Sequence, residues 1–476
     1  MTLQYSSEYL LQLLQRFLKH QNQVKQIHCL LITDSHLLNN GSSPSNPKWI
    51  STLFYNTLIR AHFGFGQAHE TLHFFNSMLN HNVPPNGHTF PCLLRAASFS
   101  PSLASLVGSS LHTQIIRRGV SCDPFIQTSL LCLYSDIGDM INARKVFDEI
   151  AFPCVVEFNA MLDALGKNGD MGSAVFLFET MRKRDVVSWT SVINGFARNG
   201  HFGEAIRFFK KMIWHEDEND CLTKPNEATY VSVLSSCAKL DNAGASYFGK
   251  EMHGYIIRNE VALTVFMGTA LIDLYGKSGL LETAIKVFEQ MDVKEVYTWN
   301  AIISSLACNS RENQALEMFE RMKSNGLHPN EVTFVGVLTA CARAKLVELG
   351  LDLFQSMSRE FEVVPVMEHY GCVVDLLGRA GLLREASEFI SRLPFEPDAS
   401  VWGALLGACK IHGAVALGND VGTRVLELQH LQCGQYVALS HINAGAERWI
   451  HAADLRQAMV KSGIKKIPAY SSINSL

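Results

Sequence analysis

Residues 186–200 read VVSWTSVINGFARNG, and residues 296–310 read VYTWNAIISSLACNS. In the first stretch Trp189, Val192, Ile193 and Phe196 recur at i, i+3, i+4 and i+7, the spacing of one face of an α-helix. Gly200 interrupts, and Ala205, Phe208, Phe209 and Met212 repeat the spacing, so the unit is a helical hairpin. The second stretch repeats it with Trp299, Ile302, Ile303 and Leu306, then Ala315, Met318, Phe319 and Met322. A phrase recurs in the second helix of each hairpin: HFFNSM, KVFDEI, FLFETM, RFFKKM, KVFEQM, EMFERM and DLFQSM. Its phenylalanines lie 31 residues apart from Phe147 to Phe178, Phe178 to Phe209 and Phe288 to Phe319, and 35 apart from Phe319 to Phe354. One hairpin of this size cannot bury its apolar face alone, and stacked hairpins can. The spacing therefore predicts an all-α fold, a right-handed α-solenoid superhelix of helix–turn–helix repeats.

Unit starts fall at Thr52, Gly87, Pro124, Val155, Val186, Glu227, Val265, Val296, Glu331 and Val366. In the eight of these units that keep the phrase, the last with Phe389, the phenylalanine comes 23 residues after the start, which fixes the register. An acidic insert, HEDEND at 215–220, reads as a solvated loop between repeats. Within the constant frame the residue after the tryptophan varies, Thr190 in one unit and Asn300 in another. It lies about 100° round the helix from the apolar stripe, so it is expected off the packing face and on the groove.

A net charge of −4 does not support a general polyanion binder, so any nucleic-acid function rests on local chemistry. No stretch of 18 apolar residues is free of charge, and no membrane association is expected. The twelve cysteines include no CxxC pair and read as reduced, mostly core thiols. HETLH at 69–73 matches HExxH, a zinc-site pattern on a helix. Register argues against it, because His73 takes the slot of Arg207 and Lys286 on the exposed side of a second helix. Neither a metal nor another cofactor is expected, nor a small-molecule substrate.

The stretches YNTLIRAH (55–62), TALIDLYGKSGLLETAIKVFEQM (269–291), VYTWNAII (296–303) and NEVTFVGVLTACA (330–342) resemble the pentatricopeptide repeat (PPR) family. HYGCVVDLLGRAGLLREA (369–386) and VWGALLGACKIHG (401–413) resemble its plant organellar PLS subclass, where standard, long and short repeats alternate. VKQIHCLLITD (24–34) looks like the tail of an eroded repeat. The implied organisation is an N-terminal segment 1–51 with a possible targeting region, about ten repeats over 52–398, an E extension over 399–466 and a tail, 467–476. The last stretch, KKIPAYSSINSL, departs from the family's PG-containing box.

The resemblance implies single-stranded RNA binding, one base per repeat, read by the fifth and last residues of standard and short units. Those pairs are Asn56 with Asn86, Thr128 with Cys154, Asn159 with Asp185, Thr190 with Asn226, Thr269 with Glu295, and Asn300 with Asn330. The second residues, Leu53, Phe125, Val156, Val187, Phe266 and Tyr297, would supply apolar plates against the base faces. In the family Thr with Asn favours adenine, Asn with Asp uracil, and Asn with Asn a pyrimidine. Cys154 and Glu295 are not regular code residues, so their units imply only a purine, from Thr128 and Thr269. Pro91, Val231 and Val335 in the long repeats are assigned no base, and Tyr370 in the final unit has no clear partner base. The expected target, 5′ to 3′, is pyrimidine, any, purine, U, A, any, purine, pyrimidine, any, any. Thr and Asn near a helix start also serve as ordinary caps.

Cytidine deamination needs an HxE and a PCxxC motif to hold zinc and move protons, and neither occurs in these residues. The resemblance thus implies a non-catalytic factor for C-to-U editing of organellar RNA, with the last repeat four nucleotides before the edited cytidine. Its partners would be single-stranded organellar RNA, a DYW-domain-bearing PPR protein and multiple organellar RNA editing factor proteins. The alternatives are a splicing or transcript-stability factor and, in another class, a tetratricopeptide-like protein scaffold, which the mixed 31 and 35 spacing disfavours. Mitochondrion is the expected compartment, with chloroplast as the alternative, since many E-class members go to mitochondria.

Overall fold

The structure, a computed structural model, describes residues 6–33, 37, 48–99, 101–214, 223–240, 243–259, 262–428 and 433–464. The acidic insert 215–220 and the tail 467–476 lie outside the described residues. Among the described residues there are 26 α-helices and no strand, the all-α solenoid class that the spacing predicts. No described helix is long and apolar enough to cross a membrane.

The helices divide into two compact units, residues 1–236 and residues 237–476. In the first, consecutive hairpins include Pro124–Ile137 with Met140–Asp148, Val155–Lys167 with Met171–Thr180, and Val186–Arg198 with Phe202–Trp214. In the second they include Val265–Lys277 with Leu281–Gln290, Val296–Cys308 with Glu312–Ser324, and Glu331–Ala344 with Val347–Glu360. Within each unit the first helices of successive hairpins pack on one another. These first helices begin at Pro124, Val155, Val186, Glu227, Val265, Val296 and Glu331, where the residue spacing sets the repeat starts.

Two starts differ. Regular helix begins at Phe90 rather than Gly87. Pro91 has no N–H to bond the Gly87 carbonyl, so the first turn is tightened, with Thr89 N–H donating to the Asn86 carbonyl at 3.0 Å. The helix Lys48–Gly64 starts four residues before Thr52.

The apolar stripe is the packing face. Trp189, Val192 and Ile193 are buried, and the Trp189 ring meets Phe178 of the preceding hairpin edge-on, centroids 4.7 Å apart. Trp299 meets Phe288 in the same way at 4.8 Å. Burial of one such side chain stabilises the fold by about 1.5–3 kcal/mol, and every repeat contributes several.

The far ends of the first helices are tied by asparagines. Asn199 Nδ2 donates to Gly195 O of its own helix at 2.7 Å and to Gly166 O of the preceding first helix at 2.8 Å. Asn168 does the same with Ala164 O and Ser135 O, and Asn309 with Ser305 O and Gly276 O. Each amide bridges two carbonyls in the last turns of successive first helices, where helix ends have fewer backbone donors. Close helix approach permits this, since a Cβ on Gly166 would stand 3.0 Å from Gly195 Cα.

Residues 399–464 continue as helical pairs. Asp398 caps Ala399–His412, accepting from Ser400 and Val401 N–H at 3.0 Å each. Val415–Leu428 packs Val421 and Val425 against Leu405, Leu406, Leu439 and Ile442. Asn419 and Asn443 exchange amide hydrogen bonds at 3.3 and 2.7 Å.

Candidate nucleic-acid interface

The last residue of a repeat stands at the N-cap of the next first helix. In two repeats its side chain caps that helix and also binds the fifth residue of its own repeat, and in a third, Asn86, it binds the fifth residue ahead of the helix start. Asn300 Nδ2 donates to Asn330 Oδ1 at 3.0 Å, and Asn330 Oδ1 accepts from Thr333 N–H at 3.1 Å. Asn159 Nδ2 donates to Asp185 Oδ1 at 3.1 Å, which accepts from Ser188 N–H at 2.8 Å. Asn56 Nδ2 donates to Asn86 Oδ1 at 2.9 Å. The structure thus brings together Asn56 with Asn86, Asn159 with Asp185 and Asn300 with Asn330.

Thr190 reaches Asn226 indirectly. Its hydroxyl lies 2.7 Å from Thr229 Oγ1, which lies 2.8 Å from Asn226 Oδ1. Thr190 Oγ1 also donates to Val186 O at 2.6 Å, within its own helix. Thr269 has the equivalent bonds to Val265 O at 2.7 Å and Thr298 Oγ1 at 2.9 Å. Thr128 bonds Pro124 O, and no hydrogen bond joins it to Cys154 or Thr269 to Glu295. Those are the two pairs with irregular last residues.

One expectation needs correction. The variable residue was placed off the packing face, yet Asn159, Thr190 and Asn300 are buried, at 8, 7 and 5% exposure. They sit at the seam between successive first helices, because their hydrogen bonds cross to the next repeat. Tyr370 has a packing role: its ring contacts Phe354, Phe389 and Phe395 at 5.2, 5.9 and 5.2 Å.

Burial would push the Asp185 carboxyl up. Hydrogen bonds led by Ser188 N–H and the Asn159 amide outweigh it and hold the acid below its ordinary value. Asp185 is therefore an acceptor at neutral pH, whereas an asparagine in that place keeps an amide donor.

The second residues stand exposed beside these pairs. Phe125, Val156, Phe266, Val187 and Tyr297 are 79, 59, 55, 47 and 38% exposed, and Leu53 is half-buried. Such exposure of large apolar groups, once per repeat, has no packing purpose. Phe266 and Tyr297 lie nearly parallel, 10° between planes and 5.4 Å between centroids. In the first unit an open cleft of about 1380 Å³ is lined by Leu53, Asn56, Asn86, Phe125, Thr128 and Val156, together with exposed Arg60 and Arg95. The cleft joins polar pairs, apolar plates and cations, the three chemistries a single strand requires. His69, Glu70 and His73 are exposed on Ala68–Asn80. Among the described residues no group of three or more His, Cys, Asp or Glu could hold a metal ion.

The family model described as "PPR repeat family" matches residues 51–98, 184–239 and 294–343, and that described as "PPR repeat" matches 158–186, 269–296 and 332–360. The model described as "E motif" matches 412–474. The pentatricopeptide repeat-containing protein At1g10330 of Arabidopsis thaliana is 52% identical over 466 residues, 98% of this chain and 97% of that one. The chain belongs to the pentatricopeptide repeat family. A second Arabidopsis member, At3g62890, is 42% identical over 89% of this chain and 74% of its own length. Among solved structures, PPR10 from maize is similar at 16% identity and a TM-score of 0.48, over 97% of this chain and 70% of that one.

In this PPR chain a third side chain that the sequence did not single out bonds the fifth residue in five of the six units. It is the third residue of the following repeat, Thr89, Ser188, Thr229, Thr298 or Thr333. A signal for it exists: Asn86, Asp185, Asn226 and Asn330 are each followed three residues on by Thr or Ser, the spacing of a capping box.

Proposed function

We propose that this protein is a sequence-specific single-stranded RNA-binding factor that selects a site in organellar transcripts for C-to-U editing. The observation that carries the reading is the repeated joining of fifth and last residues beneath exposed apolar plates, as in Asn159–Asp185 beside Val156 and Val187. Backbone N–H groups fix the polarity of these pairs. An N–H must meet an oxygen, so Asn330 turns Oδ1 to Thr333 N–H, and Asn300 in turn directs Nδ2 to that oxygen. Asn300 keeps one amide hydrogen for a base, and so does Asn159. Beside Asn159, ionised Asp185 offers an acceptor, and a donor with an acceptor matches the N3–H and carbonyl of uracil. Beside Asn300, Asn330 offers a second donor, which suits the acceptors of a pyrimidine edge.

The chain itself is assigned no catalysis and no cofactor. The E-motif match over 412–474 supports a docking role for a deaminase-bearing DYW-type PPR partner and for organellar editing factors. The proposed compartment is the mitochondrion.

The test is binding of purified protein to a ten-nucleotide RNA of the expected order, followed by sequencing of organellar transcripts with and without the protein. Preferred binding and one unedited cytidine, four nucleotides beyond the last repeat's position, are expected. Equal competition by an RNA with the central U and A exchanged would sink the assignment of bases to repeats.

A further inference from the structure

We infer that the hydroxyl of the third residue in the following repeat is a positioning group for base reading, because it sets which atom the fifth-residue asparagine presents. The inference rests on the RNA-reading role proposed above.

The geometry recurs in both units. Thr333 Oγ1 is 2.6 Å from Asn300 Oδ1 and 3.0 Å from Asn330 Oδ1. Ser188 Oγ is 2.7 Å from Asn159 Oδ1 and 3.0 Å from Asp185 Oδ1. Thr89 Oγ1 is 2.7 Å from Asn56 Oδ1 and 3.2 Å from Asn86 Oδ1. A hydroxyl has one hydrogen, and in all three cases the shorter contact is to the fifth-residue carbonyl. The same oxygen accepts the backbone N–H of the preceding repeat's last residue, Asn330 at 3.1 Å, Asp185 at 3.2 Å and Asn86 at 3.0 Å. One lone pair is thus occupied from the backbone, and the shorter contact places its hydrogen on the asparagine carbonyl.

The asparagine then has its carbonyl engaged by the hydroxyl and one amide hydrogen engaged by the cap residue. Only the second amide hydrogen remains for a base. Without the hydroxyl the carbonyl loses its partner, and the amide can rotate to offer either an acceptor or a donor. Ser188, Thr229, Thr298 and Thr333 are fully buried, so water does not replace the lost hydroxyl as it would on a surface. Simple capping does not need this contact. The cap bond from Thr333 N–H to Asn330 Oδ1 uses the backbone and survives loss of the hydroxyl. The repeat that contains Thr128 is an internal contrast: its third partner is the buried carboxylate Glu157, which bonds Cys154 N–H at 2.8 Å.

The experiment compares Thr333→Val and Thr333→Ser with the natural chain on four RNAs that differ only at the eighth nucleotide, the one addressed by Asn300 and Asn330. In Thr333→Val, the affinity ratio between best and worst base there should fall about tenfold, the effect of one lost hydrogen bond to a base. Discrimination at the fourth nucleotide, addressed by Asn159 and Asp185, should stay unchanged, and Thr333→Ser should restore the eighth. A merely structural role would move thermal stability without moving one ratio and sparing the other. Ser188→Ala and Ser188→Thr provide the same comparison at the fourth nucleotide should Thr333→Val not fold. Full discrimination in both hydroxyl-free variants overturns the inference. Failure of the natural chain to discriminate any base overturns the RNA reading beneath it.

Discussion

At the scale of the residue, capping does not exclude the proposed base reading by the same polar side chain. Asp185 Oδ1 accepts from Ser188 N–H as an N-cap and from Asn159 as a reading partner at once. The Thr190 repeat has the parts needed to accept a changed base preference, since Thr229 stands where Ser188 and Thr333 stand. Thr190→Asn combined with Asn226→Asp should move the preference at the fifth nucleotide from A to U by tenfold or more, measured by competition between two RNAs. Unchanged preference for A would refute the residue assignment there. Asp185 also predicts a pH dependence. Its folded carboxyl sits below its ordinary value, so its stabilisation is present above the unfolded-state pKa and is lost as pH falls through the folded one. Preference for U at the fourth nucleotide should be flat from pH 8 to about 5 and decline only below the usual carboxylate range, about 4. The fifth and last residues were legible in the sequence because the tryptophan frame fixes their register. Their burial was not, because a helical wheel locates the stripe but not the next repeat's cap, which closes over the neighbouring position. The third-residue hydroxyl was visible only as capping-box spacing, a signal that explains the helix start by itself and so hid its second contact.

At the scale of the element, a repeat is held at both ends of its first helix. The N-terminal end carries the proposed reading pairs, and the C-terminal end carries Asn168, Asn199 or Asn309, whose amides cross to the preceding helix. Asn199→Ala leaves two carbonyls, Gly166 O and Gly195 O, without this donor. The expected cost is about 1–3 kcal/mol, read as a lower denaturation midpoint in urea. Asn199→Asp should cost more, because a carboxylate would face two carbonyl oxygens and repel both. Equal stability of the three proteins would show that the clamp is dispensable. Gly166 acts with it, since a Cβ there would meet backbone at 3.0 Å and not a side chain that can turn away. Helix identity and start were legible from periodicity nearly everywhere. The exception at Phe90 follows from Pro91, whose missing N–H delays the regular helix. The crossing asparagines were not legible, because a polar residue at a helix end reads as an ordinary terminus and its partner lies 33 residues earlier.

At the scale of the whole molecule, a chain of net charge −4 is proposed to read a polyanion, which restricts how binding can work. Phosphate neutralisation gives affinity that falls steeply with salt, in proportion to the phosphates engaged. Here the proposed base-facing residues and plates recur in six repeats, while exposed cations such as Arg60 and Arg95 line one cleft. The ratio between the expected RNA and a permuted one should therefore persist from about 50 to 200 mM salt, while absolute affinity falls less than the 10³–10⁵-fold typical of proteins that hold six or more phosphates. Filter binding across that range measures both; a ratio that collapses with salt would mean that charge, not base contacts, selects the strand. Recognition and recruitment should also separate along the chain. Reading pairs extend from Asn56 to Asn330, whereas the E-motif match covers 412–474. Deletion of residues 399–476 should leave RNA affinity within about twofold and abolish editing at the bound site. The deletion exposes Val373, Val374 and Leu377, which pack against Val401 and Leu405, so their replacement by polar residues accompanies it as a solubility control. RNA affinity is then read by filter binding and editing by transcript sequencing. Loss of RNA binding in a folded, truncated chain would place recognition in the C-terminal helices and overturn the division of labour.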